Sequence, residues 1–169
     1  MKRAARWHRL RMDHLGIYLN DHLAGSTAGV ELARRIARAH KGSTTGGILD
    51  LLAEEIAEDR EALLGTMGTL GVPVRQYKVY AGWIGEKIAR LKPNGGLLSR
   101  SPLSHLLELE IMRLGIEGKA SGWRTLRAVA DHNERLNADE LDQLIIRARR
   151  QADAVEELRT ETAAALFGG

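Results

Sequence analysis

The sequence predicts an all-α protein: an up-down bundle of four long helices with a shorter helix joining two helical hairpins, in a single domain spanning 1–169. Three observations predict it. Apolar residues recur at spacings of three and four over four long segments, the signature of helices with one buried face. Clusters of Gly, Pro, Asn and Ser punctuate those segments, and no alternating run long enough for a strand appears. Aromatic residues make up only 4 % of the chain, so the core is aliphatic and small, which suits packed helices better than sheets.

The first helical pattern runs from about Arg9 to His40. It places Leu15, Leu19, His22, Ser26, Gly29, Val30, Ala33, Ile36, Ala37 and His40 on one face. Residues 1–12 precede it as a basic arm. Gly25 and Gly29 sit inside the helix, where each glycine costs about 1 kcal/mol relative to alanine; close approach of a neighbouring helix is the expected compensation, with two tolerated surface glycines as the alternative. The run Gly42-Ser43-Thr44-Thr45-Gly46-Gly47 supplies stop and cap residues. A second helix covers 48–70, with Leu49, Leu52, Ile56, Asp59, Leu63, Met67 and Leu70 on one stripe. Gly71-Val72-Pro73 ends it and opens the short helix, 73–91, since proline suits a first helical turn. Pro93-Asn94-Gly95-Gly96 breaks that one. Ser101-Pro102 then starts a long helix to about Asp131 with two apolar edges, Leu103, Leu107, Ile111 and Leu114 on one and Leu106, Leu109, Ile116 and Trp123 on the other. Asn137 caps the last helix, whose inward stripe is Leu141, Leu144, Ile145, Ala148, Ala152, Val155 and Leu158. Residues 160–169 are expected to fray. Short links make each hairpin antiparallel.

The chain contains 25 Lys and Arg against 22 Asp and Glu and has no cysteine. Disulfides, thiolate metal sites and thiol nucleophiles are excluded, and a reducing, cytoplasmic setting is expected. The opening MKRAARWHRLRMDHL lacks the apolar centre of a secretory signal, and no stretch is long and apolar enough to span a membrane. Basic surface candidates are Lys78, Lys87, Arg90, Lys92 and Arg100. They suit either contact with phosphate or a solvated face or subunit contact; the second reading is preferred, so nucleic acid is not the expected partner.

Polar residues on buried stripes are the candidates for chemistry, because burying them costs energy unless they are paired. His22 and Ser26 from the first helix, Glu55 and Asp59 from the second, Glu110 and Glu117 from the helix after Pro102, and Arg149 and Gln151 from the last form the expected polar core. Inward carboxylates from several helices are how bundles hold metal pairs. Without a cation they must pair with guanidinium or ammonium groups, and Arg60, Lys119, Arg124, Arg127 and Arg149 are available. A phase shifted by one residue would instead put Glu110 and Glu117 at a solvated edge; the paired and solvated readings are preferred over a metal site, and all remain open on the residues alone. A metal site would use Glu55, Asp59, Glu110 and Glu117, with His22 beside them. There is no H-E-x-x-H, no phosphate-binding glycine loop and no nucleophile elbow.

Over most of its length, at Tyr18–Ala39, Leu52–Gly71, Lys78–Ile88 and Leu103–Leu158, the chain resembles the ferritin-like bundles, and among them the small bacterial YciF-like proteins. The segment KVYAGWIGEKI, with Lys78, Gly82 and Glu86, resembles that family's middle helix. The runs YLNDHLAGSTAGVELARR and SPLSHLLELE are similar to those of uncharacterised actinobacterial proteins. The ferritin-like resemblance implies a carboxylate-bridged metal pair, with a Glu from each of two helices and a Glu-x-x-His from each of the others. This chain departs from that pattern. Ser26 stands about where the first Glu belongs, the second helix has no histidine three residues after a Glu, and the last helix carries Arg147, Arg149, Arg150 and Gln151 where an acid and a histidine are wanted. These departures imply a bundle that keeps the scaffold without a cofactor and acts through self-association, as a dimer, or through a protein partner. A di-iron or manganese oxidoreductase and a phosphate binder are the alternatives.

Overall fold

The computed structural model describes the backbone of residues 2–75 and 102–168, with side chains from residue 13 onward in the first stretch and from 103 in the second. Among the described residues there are four helices and no strand: α1 (Lys2–Ala39), α2 (Gly46–Leu70), α3 (Pro102–Ala130) and α4 (Ala138–Phe167). Helix α1 already begins within the expected basic arm, and α4 continues to Phe167 through the stretch expected to fray. Residues 72–75 have no regular structure, so Pro73 does not open a helix. The rest of the expected short helix, with Lys78, Lys87 and Arg90, lies outside the described residues, as do Lys92 and Arg100.

Local chemistry sets the helix ends. At the end of α2, Gly71 takes φ +70°. Its N–H donates to Gly68 O at 3.0 Å while the N–H of Val72 donates to Met67 O at 2.9 Å. This paired closure needs a left-handed residue, which glycine supplies without a Cβ penalty. Asn20 holds the chain that leaves: its amide donates to Pro73 O at 3.1 Å and accepts from the Arg75 N–H at 2.7 Å. The Asn137 side chain caps α4 by accepting from the N–H groups of Asp139 and Glu140 at 3.1 and 3.2 Å, two donors the helix itself leaves orphaned.

Side-chain pairs fix the directions. Arg60 reaches Thr27, and Arg35 reaches Glu108 while Tyr18 reaches Thr125; α1 is therefore antiparallel to both α2 and α3. Arg127 pairs with Asp142 and Arg113 with Glu156, so α4 is antiparallel to α3. Helices α2 and α3 therefore run parallel, at opposite corners of the square, rather than in strict up-down alternation. Arg75 and Pro102 lie at opposite ends of the bundle. Backbone packing is closest between α3 and α4, and between α1 and α2.

The interior forms two apolar clusters. One gathers Val30, Ile36, Leu49, Ile56, Leu109, Met112, Ile116, Ala148 and Val155. The other gathers Leu19, Leu23, Leu63, Met67, Leu70, Trp123, Leu126, Leu141 and Ile145. On α3 the buried edge is the one with Leu106, Leu109, Ile116 and Trp123, while Leu103 and Leu114 of the other edge are 48 % and 68 % exposed.

The glycines divide by surroundings. A Cβ at Gly25 or Gly29 would meet nothing within 4 Å, so no close helix approach explains them; a Cβ at Gly122 would lie 3.1 Å from the His22 ring. Replacing Gly25 or Gly29 by alanine should therefore stabilise the fold by up to about 1 kcal/mol. Gly122→Ala should destabilise it by about 1–3 kcal/mol, because Tyr18 packs edge-on against the imidazole and restricts its retreat. Urea midpoints at an unchanged m-value measure both effects.

Candidate functional site

Between the two apolar clusters runs a polar layer, and its centre is Lys119. The residue sits on the buried stripe of α3, one turn after Ile116 and one turn before Trp123. Its Nζ donates to Asp59 Oδ2 of α2 and, at 2.5 Å, to Gln151 Oε1 of α4. The Asp59 side chain is only 1 % exposed and Lys119 only 14 %. The other Asp59 oxygen pairs with Arg147, whose Nη1 also reaches Glu58 Oε2 at 2.9 Å. The Gln151 amide turns its Nε2 to Glu55 Oε2 at 3.0 Å, and Glu55 Oε1 accepts from Arg150. Gln151 thus relays between a cation and an anion, as its amide, donor and acceptor at once, allows.

Three carboxylates, Glu55, Glu58 and Asp59, meet three cations, Lys119, Arg147 and Arg150. The layer is electrically closed across α2, α3 and α4. Helix α1 contributes only neutral groups beside it. Thr27 accepts from Arg60 Nε at 3.2 Å, and the Ser26 and Thr27 hydroxyls donate to Leu23 O. Below the network the seam between α2 and α4 opens into a groove of about 680 Å³, bordered by Ala62, Gly65 and Thr66 on one side and Leu141 and Leu144 on the other, with Arg147 and Arg150 in its lining.

The residues named from sequence separate into two sets. Glu55, Asp59 and Gln151 come together in the network. His22 and Ser26 are half-buried at the α1 side, His22 against Gly122. The others stand outside the layer. The Glu110 side chain is 44 % exposed and faces Arg159 at 3.8 Å; that of Glu117 is 49 % exposed and faces Arg124 at 3.9 Å; Arg149 is exposed. Glu110 and Glu117 share the outward edge of α3 with Leu103 and Leu114, and the phase that carries Lys119 inward carries them out. Two buried polar residues were not anticipated, Asn20 and Glu108. Glu108 lies beside Leu109 on the core edge, and pairs with Arg35 at 3.1 Å.

The chemistry of the donors decides whether a metal pair fits. A carboxylate-bridged centre needs acids from all four helices and histidines on two. Here α1 offers no acid to the layer, α3 offers an ammonium, and α4 offers guanidinium and amide. Among the described residues no group of three or more His, Asp or Glu is placed to hold a cation. The residues do not fit the group. No protein-family model, curated protein or solved structure matches the chain.

Burial pushes the Lys119 ammonium below the 10.5 of an exposed lysine, and the attraction of Asp59 opposes that shift without cancelling it. The effect on stability has a definite sign. Between the lowered value and 10.5 the unfolded chain holds a proton that the folded chain has released, so stability rises with pH across that window. In Lys119→Met this rise should be missing, as chemical unfolding at pH 8 to 11 would show by difference from the parent.

The two sides of the central pair should respond unequally to removal. Asp59→Asn leaves a buried ammonium without its carboxylate and should cost about 3–5 kcal/mol. Lys119→Met should cost less, because Arg147 remains on Asp59. The double variant Asp59→Leu with Lys119→Met should be more stable than Asp59→Leu alone, and a double-mutant cycle in urea reads the coupling directly.

Proposed function

We propose that this protein is a non-catalytic bundle of ferritin-like architecture that works by self-association or by binding a protein partner, with an ion-pair network where related scaffolds keep a metal pair. The observation that carries this reading is Lys119 Nζ lying between Asp59 and Gln151. A protonated amine at the centre of the layer satisfies the carboxylate that a metal ion would need, and it repels a second cation. Catalytic carboxylates must be free to change partners or protonation state. Those in this layer are engaged by guanidinium, ammonium or amide groups.

Helix directions support the scaffold half of the proposal. Parallel α2 and α3, with each hairpin antiparallel, require one connection that passes from one end of the bundle to the other, and ferritin-like bundles have one such long crossover. No helix among the described residues is long and apolar enough to cross a membrane. We place the protein in the cytoplasm, in keeping with its lack of cysteine. A two-fold dimer is the assembly expected for a homo-oligomer.

The test pairs metal content with mass. Protein purified without chelator and then titrated anaerobically with Fe(II) or Mn(II) should hold neither ion at stoichiometric level, and light scattering should give twice the chain mass. Stoichiometric metal that is lost in Asp59→Asn would establish the oxidoreductase alternative instead.

A further inference from the structure

Helix α1 outruns the bundle it belongs to. Gly16 lies level with Val72, just past the end of α2: a Cβ there would stand 3.8 Å from Val72 Cγ1. Tyr18 lies level with Thr125, shortly before α3 ends at Ala130. Arg127 pairs with Asp142, one turn after α4 begins at Ala138. The three other described helices therefore end level with about residues 12–16 of α1, and residues 2–11 continue about 15 Å past them.

That projecting stretch carries charge of one sign. Residues 2–12 contain Lys2, Arg3, Arg6, Arg9 and Arg11 and no acid, whereas residues 13–61 contain nine acids to five bases. Positions 2, 6 and 9 share one helix face, and like charges at that spacing repel. The first turn of α1 has no acid to match the positive end of the helix dipole; it holds Lys2 and Arg3 instead. A helix charged so much against its own stability calls for an anionic surface laid along it.

The molecule has such a surface. On the outer side of the seam between α1 and α2 lies a groove of about 660 Å³, with Ala37, Ala53 and Ala57 at its base. Helix α2 lines it with Asp50, Glu54, Glu58 and Glu61, against Arg34 and Arg38 from α1. Glu58 and Glu61 already hold Arg147 and Arg60. Asp50 and Glu54, one turn apart and exposed, pair with no cation among the described residues. The basic stretch cannot reach this groove in its own chain, because both belong to one unbroken helix and Arg11 lies about 35 Å from Arg34 along it.

We propose that the groove receives the basic stretch of α1 from a second copy of the chain, with Lys2, Arg6 and Arg9 set along Asp50 and Glu54. The contact is reciprocal about a two-fold axis, so each dimer holds it twice. Ala5 borders the face of positions 2, 6 and 9 and is small enough for the stretch to approach the alanine base. The proposal rests on the self-association reading and names the surface that carries it. An anionic membrane fits less well, because Trp7, Leu10 and Met12 do not share one face. Nucleic acid would match the cations but leave Asp50 and Glu54 without a role.

Two full-length variants test the contact. Arm reversal, Arg6→Glu with Arg9→Glu, and groove reversal, Asp50→Lys with Glu54→Lys, should each weaken the dimer about tenfold or more in sedimentation equilibrium, at unchanged helix content. Mixing the two should restore dimers of the two different chains, since each arm then meets a groove of opposite sign. The chain has no cysteine of its own, so a nitroxide can be placed at Ala5→Cys alone. In a mixed sample it should broaden the Ala53 and Ala57 amide signals of a nitrogen-15-labelled copy. If groove reversal does not fold, this broadening decides. A parent that stays monomeric removes the self-association reading and the contact with it. A dimer indifferent to both reversals, or one without the broadening, removes the contact alone. Binding to a DNA duplex or to phosphatidylserine vesicles that arm reversal abolishes while the dimer persists would assign the stretch to phosphate and overturn the proposal.

Discussion

The arrangement depends on one ammonium group. Lys119 reaches across the bundle to Asp59 on the helix diagonally opposite and to Gln151 on its neighbour, and these two partners close the link between α2 and α4 through Arg147 and Glu55. A charge at that depth is tolerated only when its partners are placed within a fraction of an ångström. The network therefore specifies register. A one-turn slip of α2 or α4 along the bundle would strand the ammonium, Asp59 and Arg147 together, whereas the aliphatic clusters above and below would tolerate such a slip far better. The layer adds specificity that an all-aliphatic core of this composition lacks.

The same network explains why an inward cluster of acids need not be a metal centre. Glu55, Glu58 and Asp59 occupy one helix within two turns, and their mutual repulsion would raise their proton affinity if they stood alone. Lys119, Arg147 and Arg150 remove that repulsion without an ion from solution. Gln151 then converts two ion pairs into one connected chain of hydrogen bonds. Helix α1 has no charged side chain in the layer; it joins α3 through the Arg35–Glu108 pair, the Tyr18–Thr125 hydrogen bond and ring contacts, and its apolar residues enter both clusters.

Much of the fold was legible because helix periodicity and punctuation are local properties. The Asn137 cap, the Gly71 stop, the Pro102 start and the inward stripe of α4 all come from short-range chemistry. The phase of α3 was not legible. Its sequence offers two apolar edges, and periodicity cannot choose between Leu103–Leu107–Leu114 and Leu106–Leu109–Ile116–Trp123. The choice depends on where α1 and α4 lie. With the wrong edge inside, Glu110 and Glu117 enter the core; with the right one, Glu108 and Lys119 do. A usable signal was present: Lys119 falls between Ile116 and Trp123 on the longest unbroken stripe, and a lysine there demands a buried acid, which Asp59 supplies. The glycines of α1 misled in the opposite sense, because a small residue is as compatible with open space as with a close neighbour.

The protonation and exposure of the Lys119 side chain test the account most directly. Nitrogen-15 NMR of the lysine Nζ groups at neutral pH should show one ammonium resonance that exchanges slowly with water and disappears in Lys119→Met, with contacts to the side chains of Asp59 and Gln151. A Lys119 signal that exchanges as fast as those of surface lysines, or that is a neutral amine at pH 7, would contradict a sealed ion network at the centre of this bundle.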